Sequence, residues 1–504
     1  MNRFLTTILI LFLSYSQQAF SQLQSNSLNY RTKIEDAHLY FKDSKSVHSS
    51  VLPLINNRTE AKKKGTIVLD YRKGNTHIYP LADIGGGYSL GTNTSNEMYT
   101  AGLGLGLDYN RKKFFFSGKL LPYYAKSGFV RDSIQHNLNM DPGTGRAIAN
   151  NIYLQNELII GYRPNRFFTF LGGNGRNFFG EGYRSLILSD NAGPNPFFKI
   201  ETTFGDIKYV NLYHAWKDNT VDPTNKALDD RKFAAMHYIS WNITREFNLS
   251  IFETVVWQSN DTLINRGFDP NYINPVVFYR PVEYGNGSAD NVLLGANMSF
   301  KFNEKHSLYT QFILDDFLLK EIRARSRWWA NKYGFQFGYK SNRFLNKENL
   351  YFQAEFNTVR PFTFSHKHSV QSYGHMNAAV THPIGANFFE VLGILSYKKN
   401  DFRFTNKLTY SSYGIDSSAT SYGQNIFVSY NNREGEYDHL IMQGLKKNVL
   451  NETVIVEHPL YKPIGLYLHA TYNWRMELTI YGIQNNHSFM VGIHSRLWNR
   501  YTDY

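Results

Sequence analysis

"NLYFQAEFNTV" (Asn349–Val359) alternates without a break. On an extended chain, successive side chains point to opposite faces. Leu350, Phe352, Ala354 and Phe356 therefore share one face, and Tyr351, Gln353, Glu355 and Asn357 the other. The pattern recurs along the chain. "KYGFQFGYK" (Lys332–Lys340) sets Tyr333, Phe335, Phe337 and Tyr339 against Lys332, Gly334, Gln336, Gly338 and Lys340. "NVLLGANMSFKF" (Asn291–Phe302) lines up Val292, Leu294, Ala296, Met298, Phe300 and Phe302. "YTAGLGLGLDY" (Tyr99–Tyr109) opposes an apolar face to Thr100, Gly102, Gly104, Gly106 and Asp108. Glycines on an inward face leave room for a plug or ligand, or they ease a bend.

The connections alternate as well. Short polar turns fall at Asn110–Lys113, Arg163–Arg166, Thr244–Glu246, Asn303–Lys305, Ser341–Asn349 and Lys398–Asp401. Longer segments come between them, at 127–150, 217–231, 258–290, 316–330, 360–387 and 431–463. Short turns at one end and long loops at the other are the topology of bacterial outer-membrane barrels. A soluble sandwich has no such rhythm, and no propeller-like repeat is present. The fold class expected is all-β, a transmembrane antiparallel β-barrel of about 18 strands. "HSFMVGIHSRLW" (His487–Trp498) supplies the closing strand, with Phe489, Val491, Ile493 and Leu497 on one face.

A barrel of that size has a lumen too wide for side chains alone to fill. Folded-in segments are expected to occlude it. Residues 22–75 form a polar N-terminal segment that either plugs the lumen or hangs in the periplasm, and "EDAHLYF" (Glu35–Phe41) opens a short helix there. Residues 76–504 form the barrel.

Composition fits this picture. Arg3, the apolar run "FLTTILILFLSY" (Phe4–Tyr15) and "AFS" (Ala19–Ser21) read as a signal peptide over residues 1–21, cleaved on export. Beyond it no apolar run is long enough for a spanning helix. Phe, Trp and Tyr make up 16% of the chain, which suits a barrel with aromatic girdles. Cysteine is absent, which excludes thiolate chemistry and disulfide staples. The net charge of +13 belongs, after export, to an anionic polysaccharide or lipid phosphate rather than to nucleic acid.

One stretch is dense with chemistry: "NFFGEGYRSLILSDNAGPNPFFKI" (Asn177–Ile200). It lacks the Gly-Lys-Ser/Thr ending of a nucleotide loop, and no helix follows it. Arg176, Glu181, Arg184, Asp190, Asn191 and Lys199 are its candidate site residues, with two readings. They pair with one another as a structural lock inside the lumen, Arg176 and Arg184 with Glu181 and Asp190, since buried charges need partners. Alternatively, they hydrogen-bond and stack on sugars.

A second group is expected at the rim. "DDFLLKEIRARSRWWANK" (Asp315–Lys332) reads as helical, and Arg323, Arg325, Arg327, Trp328 and Trp329, with Arg360, are candidate contacts to lipid phosphate or sugar. "HKH" (His366–His368) puts two imidazoles on one strand face, with His375 and His382 nearby. No H-E-x-x-H or G-x-S-x-G motif accompanies them. Ser185 and His214 have nothing to order them into a triad. No catalytic residue, metal or cofactor is expected.

The same residues resemble a family. "GEGYRSLILSDNAGPNPFFKI" (Gly180–Ile200) resembles the signature of Wzi-type capsule-assembly outer-membrane proteins. "LDDFLLKEI…WWANKYGFQFGYK" (Leu314–Lys340) and "EFNTVRPFTFSH…HPIGANFFE" (Glu355–Glu390) look like its Bacteroidetes, gliding-motility-associated branch. The resemblance implies an 18-stranded, plugged barrel in the outer membrane of a Gram-negative bacterium. It also implies a part in binding or organising surface polysaccharide, with a link to gliding. The partners expected are that polysaccharide, outer-membrane lipid and cell-surface motility or secretion proteins. A passive porin and a sugar-free component of a gliding or secretion machine are the alternatives.

Overall fold

The computed structural model describes residues 47–53, 67–71, 74–92, 95–126, 139–141, 143–218, 229–260, 266–275, 290–417 and 420–497. It also describes the pairs 24–25 and 55–56 and residues 499, 501 and 503. The expected signal peptide, and the helix expected at Glu35–Phe41, lie outside the described residues.

Eighteen antiparallel strands close into one barrel. They are β1 (Gly74–Gly91), β2 (Ser95–Arg111), β3 (Phe114–Lys126), β4 (Ile152–Tyr162), β5 (Phe168–Gly175) and β6 (Asn195–Phe204). Next come β7 (Ile207–Asp218), β8 (Asp230–Asn242), β9 (Phe247–Gln258), β10 (Asn291–Phe302), β11 (His306–Asp316) and β12 (Lys332–Ser341). The last six are β13 (Leu350–Val359), β14 (Phe388–Lys399), β15 (Phe402–Ile415), β16 (Leu445–Tyr461), β17 (Leu466–Thr479) and β18 (Gly482–Ser495). Each strand pairs with its sequence neighbour. β18 returns to β1, with Asn486 opposite Gly91 and His494 opposite Asp83. Below that register the same edge of β1 takes the short strand Ile67–Tyr71, with Ile67 opposite Ile78.

The alternation read from the sequence has a physical outcome on each face. Phe335, Phe337, Phe356, Met298, Phe300, Leu103 and Leu105 are exposed on the outside, forming an apolar band. Gln336, Glu355, Asn357, Gln311 and Asn297 point inward and are buried. Inward groups would be wet in an open channel; here they are covered by protein.

What covers them is a core. Val51, Phe179, Leu186, Ile187, Leu188, Phe364, Tyr373 and Ile384, none of them on a barrel strand, pack in one cluster with wall residues. The wall contributes Leu171, Val210, Met236, Phe252, Leu293, Ile313 and Val359. Residues 175–195 are buried without interruption. Residues 47–53 enter the same space. Val51 and Leu52 pair with Phe179 and Phe178 as a two-stranded ribbon, and His48 Nδ1 lies 3.0 Å from Ser240 Oγ. The inward glycines of β2 are not vacant either. A Cβ on Gly106 would fall 2.2 Å from a ring carbon of Tyr79, so an aromatic ring occupies the room the glycine provides.

Two expectations need correction. Residues 431–463 are not one long loop. The loop ends before Leu445, β16 follows, and Lys462–Gly465 is a turn at the opposite end. The charged run "LKKNVLNETVIVEHPLY" hid a strand because its polar face carries Lys447, Asn451 and Glu457. Leu497 does not continue the outer face of β18. The chain turns inward after Ser495, and Leu497 packs with Tyr79, Leu81 and Leu121 inside the barrel.

Candidate functional site

The glycine-rich segment joins β5 to β6 and crosses the lumen. Gly180 has φ +141°, and a Cβ there would lie 2.1 Å from Gln311 Nε2; a Cβ on Gly182 would lie 2.4 Å from Glu355 Oε2. The two glycines that flank Glu181 thus let backbone sit directly against the wall. The wall answers with hydrogen bonds. Glu355 accepts from the backbone N–H of Tyr183 at 2.9 Å and of Arg184 at 3.2 Å. Gln311 accepts from Leu186 N–H, and Gln336 donates to the Arg184 carbonyl. Ser185 caps the turn itself, donating to Phe179 O and accepting from Ile187 and Leu188 N–H. Its hydroxyl is thereby committed to backbone and to Gln311. His214 lies against Asn195 and Trp216.

Arg184 is the centre of the arrangement. Its Nη2 and Nε meet the two oxygens of Glu390 at 2.8 and 3.2 Å, a bidentate pair, and Nη1 meets Asp503 at 3.1 Å. The guanidinium lies over the rings of Tyr183 and Tyr501, with centroids at 4.9 and 5.3 Å. None of the three charged side chains has any exposed surface. Burial by itself opposes the Arg184 charge, but Asp503 and Glu390 outweigh it and hold its pKa above the usual value. Burial likewise opposes the Asp503 charge. Arg184 and Lys407 (2.7 Å away) reverse that and hold its carboxyl below the usual range. His382, also buried, reaches Glu390 through Nε2 at 2.7 Å; burial lowers its pKa, and Glu390 opposes the shift in part.

These charges are paired in a buried network, but with partners other than those expected. Arg176 pairs with Glu157 on β4 and donates to Gly143 O, and Glu181 pairs with Lys340 on β12 at 2.6 Å. Asp190 accepts from Tyr501 Oη at 2.5 Å and Asn499 at 2.9 Å. Asn191 donates to Ala379 O in the loop 360–387, and Lys199, on β6, lies 3.1 Å from Glu201 of the same strand. No pairing within the segment links Arg176 or Arg184 to Glu181 or Asp190, because the crossing backbone turns these side chains toward different walls. The polar wall residues Glu355, Gln311 and Gln336 carried a sequence signal, as inward positions on alternating strands. Asp503, Tyr501 and His382 carried none: they lie in irregular chain that returns to the lumen.

The rim group is built differently. Only Leu319–Arg323 is helical, whereas Asp315 and Asp316 end β11 and Lys332 begins β12. Arg325 and Arg327 adopt positive φ, which stops the helix. Arg323, Arg325 and Arg327 are exposed. Trp329 is buried: its ring meets Tyr430 at a tilt (4.6 Å), donates through Nε1 to Glu436 (2.7 Å), and carries the Arg433 guanidinium 4.0 Å from its ring centroid. Trp328 is half-buried beside it, 6.1 Å from the Trp329 ring. Arg360 donates to the carbonyls of Trp328 and His439 and lies over Tyr333. Trp329 and Arg360 thus fasten loops 317–331, 360–387 and 416–444 together. The exposed arginines, Trp328 and the exposed Tyr437 form the surface of this platform.

The two imidazoles expected on one strand face stand otherwise. His366 and His368 are in loop, their rings 5.9 Å apart, and His366, His375 and His382 are buried. Among the described residues no group of three or more His, Cys, Asp or Glu side chains is placed to hold a metal.

No family model matches the chain, and no curated protein is a significant match. Solved structures do resemble it. Wzi is an outer-membrane protein involved in group 1 capsule assembly in Escherichia coli and a carbohydrate-binding β-barrel. It aligns over 93% of this chain and 99% of its own, with a TM-score of 0.56 and 12% identity. Acinetobacter baumannii OccAB1 covers 86% of this chain and 99% of its own, with a TM-score of 0.46 and 9% identity. OprD from Pseudomonas aeruginosa covers 84% and 96%, with a TM-score of 0.42 and 10% identity. At these identities the likeness to Wzi establishes the outer-membrane β-barrel fold.

Proposed function

We propose that this chain is an outer-membrane barrel, exported by a cleaved signal peptide, that binds or organises surface polysaccharide without catalysing its chemistry. The observation that carries the reading is the platform at the long-loop end. Arg323, Arg325 and Arg327 stand free of the buried network beside Trp328 and Tyr437, over loops fastened by Trp329 and Arg360. Planar guanidinium groups and aromatic faces suit acidic sugars. A platform bolted to a solid core is preorganised, which lowers the ordering cost of binding. The glycine-rich segment, by contrast, serves as the bolt: the Arg184 side chain has no exposed surface. The carbohydrate-binding character of Wzi agrees with this reading, and a link to gliding or secretion belongs to the same proposal.

The test is binding of the purified barrel to the capsular or exopolysaccharide of its own cell, measured by calorimetry. Arg325→Gln with Arg327→Gln and Trp328→Ala should weaken binding about tenfold or more, because such anchors each contribute above 1 kcal/mol. No binding above an unrelated barrel, together with an unchanged capsule in a deletion strain, would sink the idea.

The filled lumen disfavours the porin reading. A conducting barrel needs a continuous wet path, and here apolar side chains from the segments at 47–53, 176–194 and 360–387 meet across the interior.

A further inference from the structure

The net charge of +13 is not spread evenly. Among the described residues of the connections at the long-loop end, acidic and basic side chains come to near balance. The short-turn end is different. Lys112 and Lys113 form the turn between β2 and β3, Arg166 lies between β4 and β5, and Lys347 between β12 and β13. Lys398 and Lys399 sit at the end of β14. All six are exposed. Carboxylates share this rim, but Asp401 and Glu348 are taken by Lys462 (2.5 Å) and Arg343 (3.2 Å), which leaves Asp206, Glu246 and Glu304 against the larger basic set.

Directly above these cations runs an aromatic belt. Phe114, Phe168, Phe204, Trp241, Tyr397 and Phe402 occur within a few residues of the turns, each 39% exposed or more. Aromatic side chains at such a position mark the headgroup level of a membrane. The cations next to them therefore lie at the depth of lipid phosphates. With the exposed Arg245 in the turn between β8 and β9, they are carried on turns from β2 to β14, so they run along much of the rim rather than in a single patch.

We propose that this basic rim binds the phosphates of anionic phospholipids in the leaflet that the short-turn end faces. Each Lys or Arg held near an anionic surface adds to the attraction, which fades within a Debye length in salt. The proposal rests on the barrel spanning a membrane, not on glycan binding. It assigns a share of the basic excess to lipid, so that the excess is no argument for an anionic sugar at the other end.

The test uses the full chain reconstituted in phosphatidylcholine vesicles containing spin-labelled phosphatidylglycerol or spin-labelled phosphatidylcholine. The measured quantity is the fraction of label immobilised at the protein. Phosphatidylglycerol should be preferred by about threefold or more at low salt, and the preference should fall toward unity at high salt. The variant Lys112→Gln, Lys113→Gln, Lys398→Gln, Lys399→Gln should lose most of the preference, while Arg323→Gln with Arg325→Gln and Arg327→Gln should keep it. The salt series on the unaltered chain keeps the test sharp if the fourfold variant fails to fold. Equal immobilisation of both lipids, or loss of the preference only in the Arg323 variant, would overturn the proposal. So would strong salt-sensitive binding to purified peptidoglycan without lipid preference, which would make the basic rim a cell-wall contact. Failure of glycan binding would leave all of these outcomes unaffected.

Discussion

At the scale of single residues, Arg184 matters most. It ties the crossing segment (its own backbone) to β14 through Glu390 and to the re-entrant chain through Asp503. Removing one partner of a buried pair leaves the others uncompensated, which typically costs about 3–5 kcal/mol. Arg184→Ala is expected to lower stability by that order in urea titrations and to reduce the fraction that shows heat-modifiable gel mobility. Arg184→Lys should rescue little, since a point charge cannot reproduce the bidentate contact to Glu390 or the stacking on Tyr183 and Tyr501. An Arg184→Ala barrel as stable as the parent that has lost only sugar binding would reverse the assignment of this residue as a bolt.

At the scale of elements, the loops behave as parts of a core, and acid should loosen them. Burial brings the pKa of His366 and His375 down to about 3 and lowers that of His382. These imidazoles are neutral when folded and bind protons more readily when released. Their stabilising effect is whole above the ordinary value of 6.5 and is lost as pH falls from there toward about 3. Glu181 acts in the same direction at lower pH. Burial opposes its charge, Lys340 and Lys301 with the hydrogen bond from Ser49 together outweigh that, and stability present above the ordinary 4.5 is lost below it. Hydrogen exchange in residues 360–387, corrected for its intrinsic pH dependence, should show openings at least about tenfold more populated at pH 5 than at pH 7.5. Equal protection at both values would mean that these histidines are already solvated.

At the scale of the whole molecule, the barrel is a membrane wall around a protein core. Planar bilayers should therefore show almost no conductance from the intact chain. Deleting residues 177–191 should open it, since that segment ties Phe179, Leu186, Ile187 and Leu188 into the central cluster. Steady porin-like conductance from the intact protein would contradict the filled lumen.

How much of this could be read in advance follows from the range of each interaction. Strand faces, the tight turns at 112–113, 244–246 and 303–305, and the size of the barrel follow from patterns spanning a few residues, and these stood in the chain. "LKKNVLNETVIVEHPLY" escaped as a strand because it carries charges on both faces, Lys447 and Glu457 inward and Lys446 and Glu452 outward. The rim sequence reads as helical over Asp315–Lys332, yet the backbone at Arg325 and Arg327 ends the helix after five residues. The glycine-rich segment could be recognised as inward-folded, because paired charges beside glycines in a barrel protein have few other places to go. Its partners could not. Arg184 meets Glu390 and Asp503, and Asp190 meets Asn499 and Tyr501, each across hundreds of residues. A period of two says which way a side chain points but not what lies across the lumen. The sequence by itself therefore determined a closed antiparallel barrel with an occupied interior. Only the tertiary structure decided which charges meet, because in a low-dielectric core pairing is set by distance through space, and closure of the sheet creates those distances.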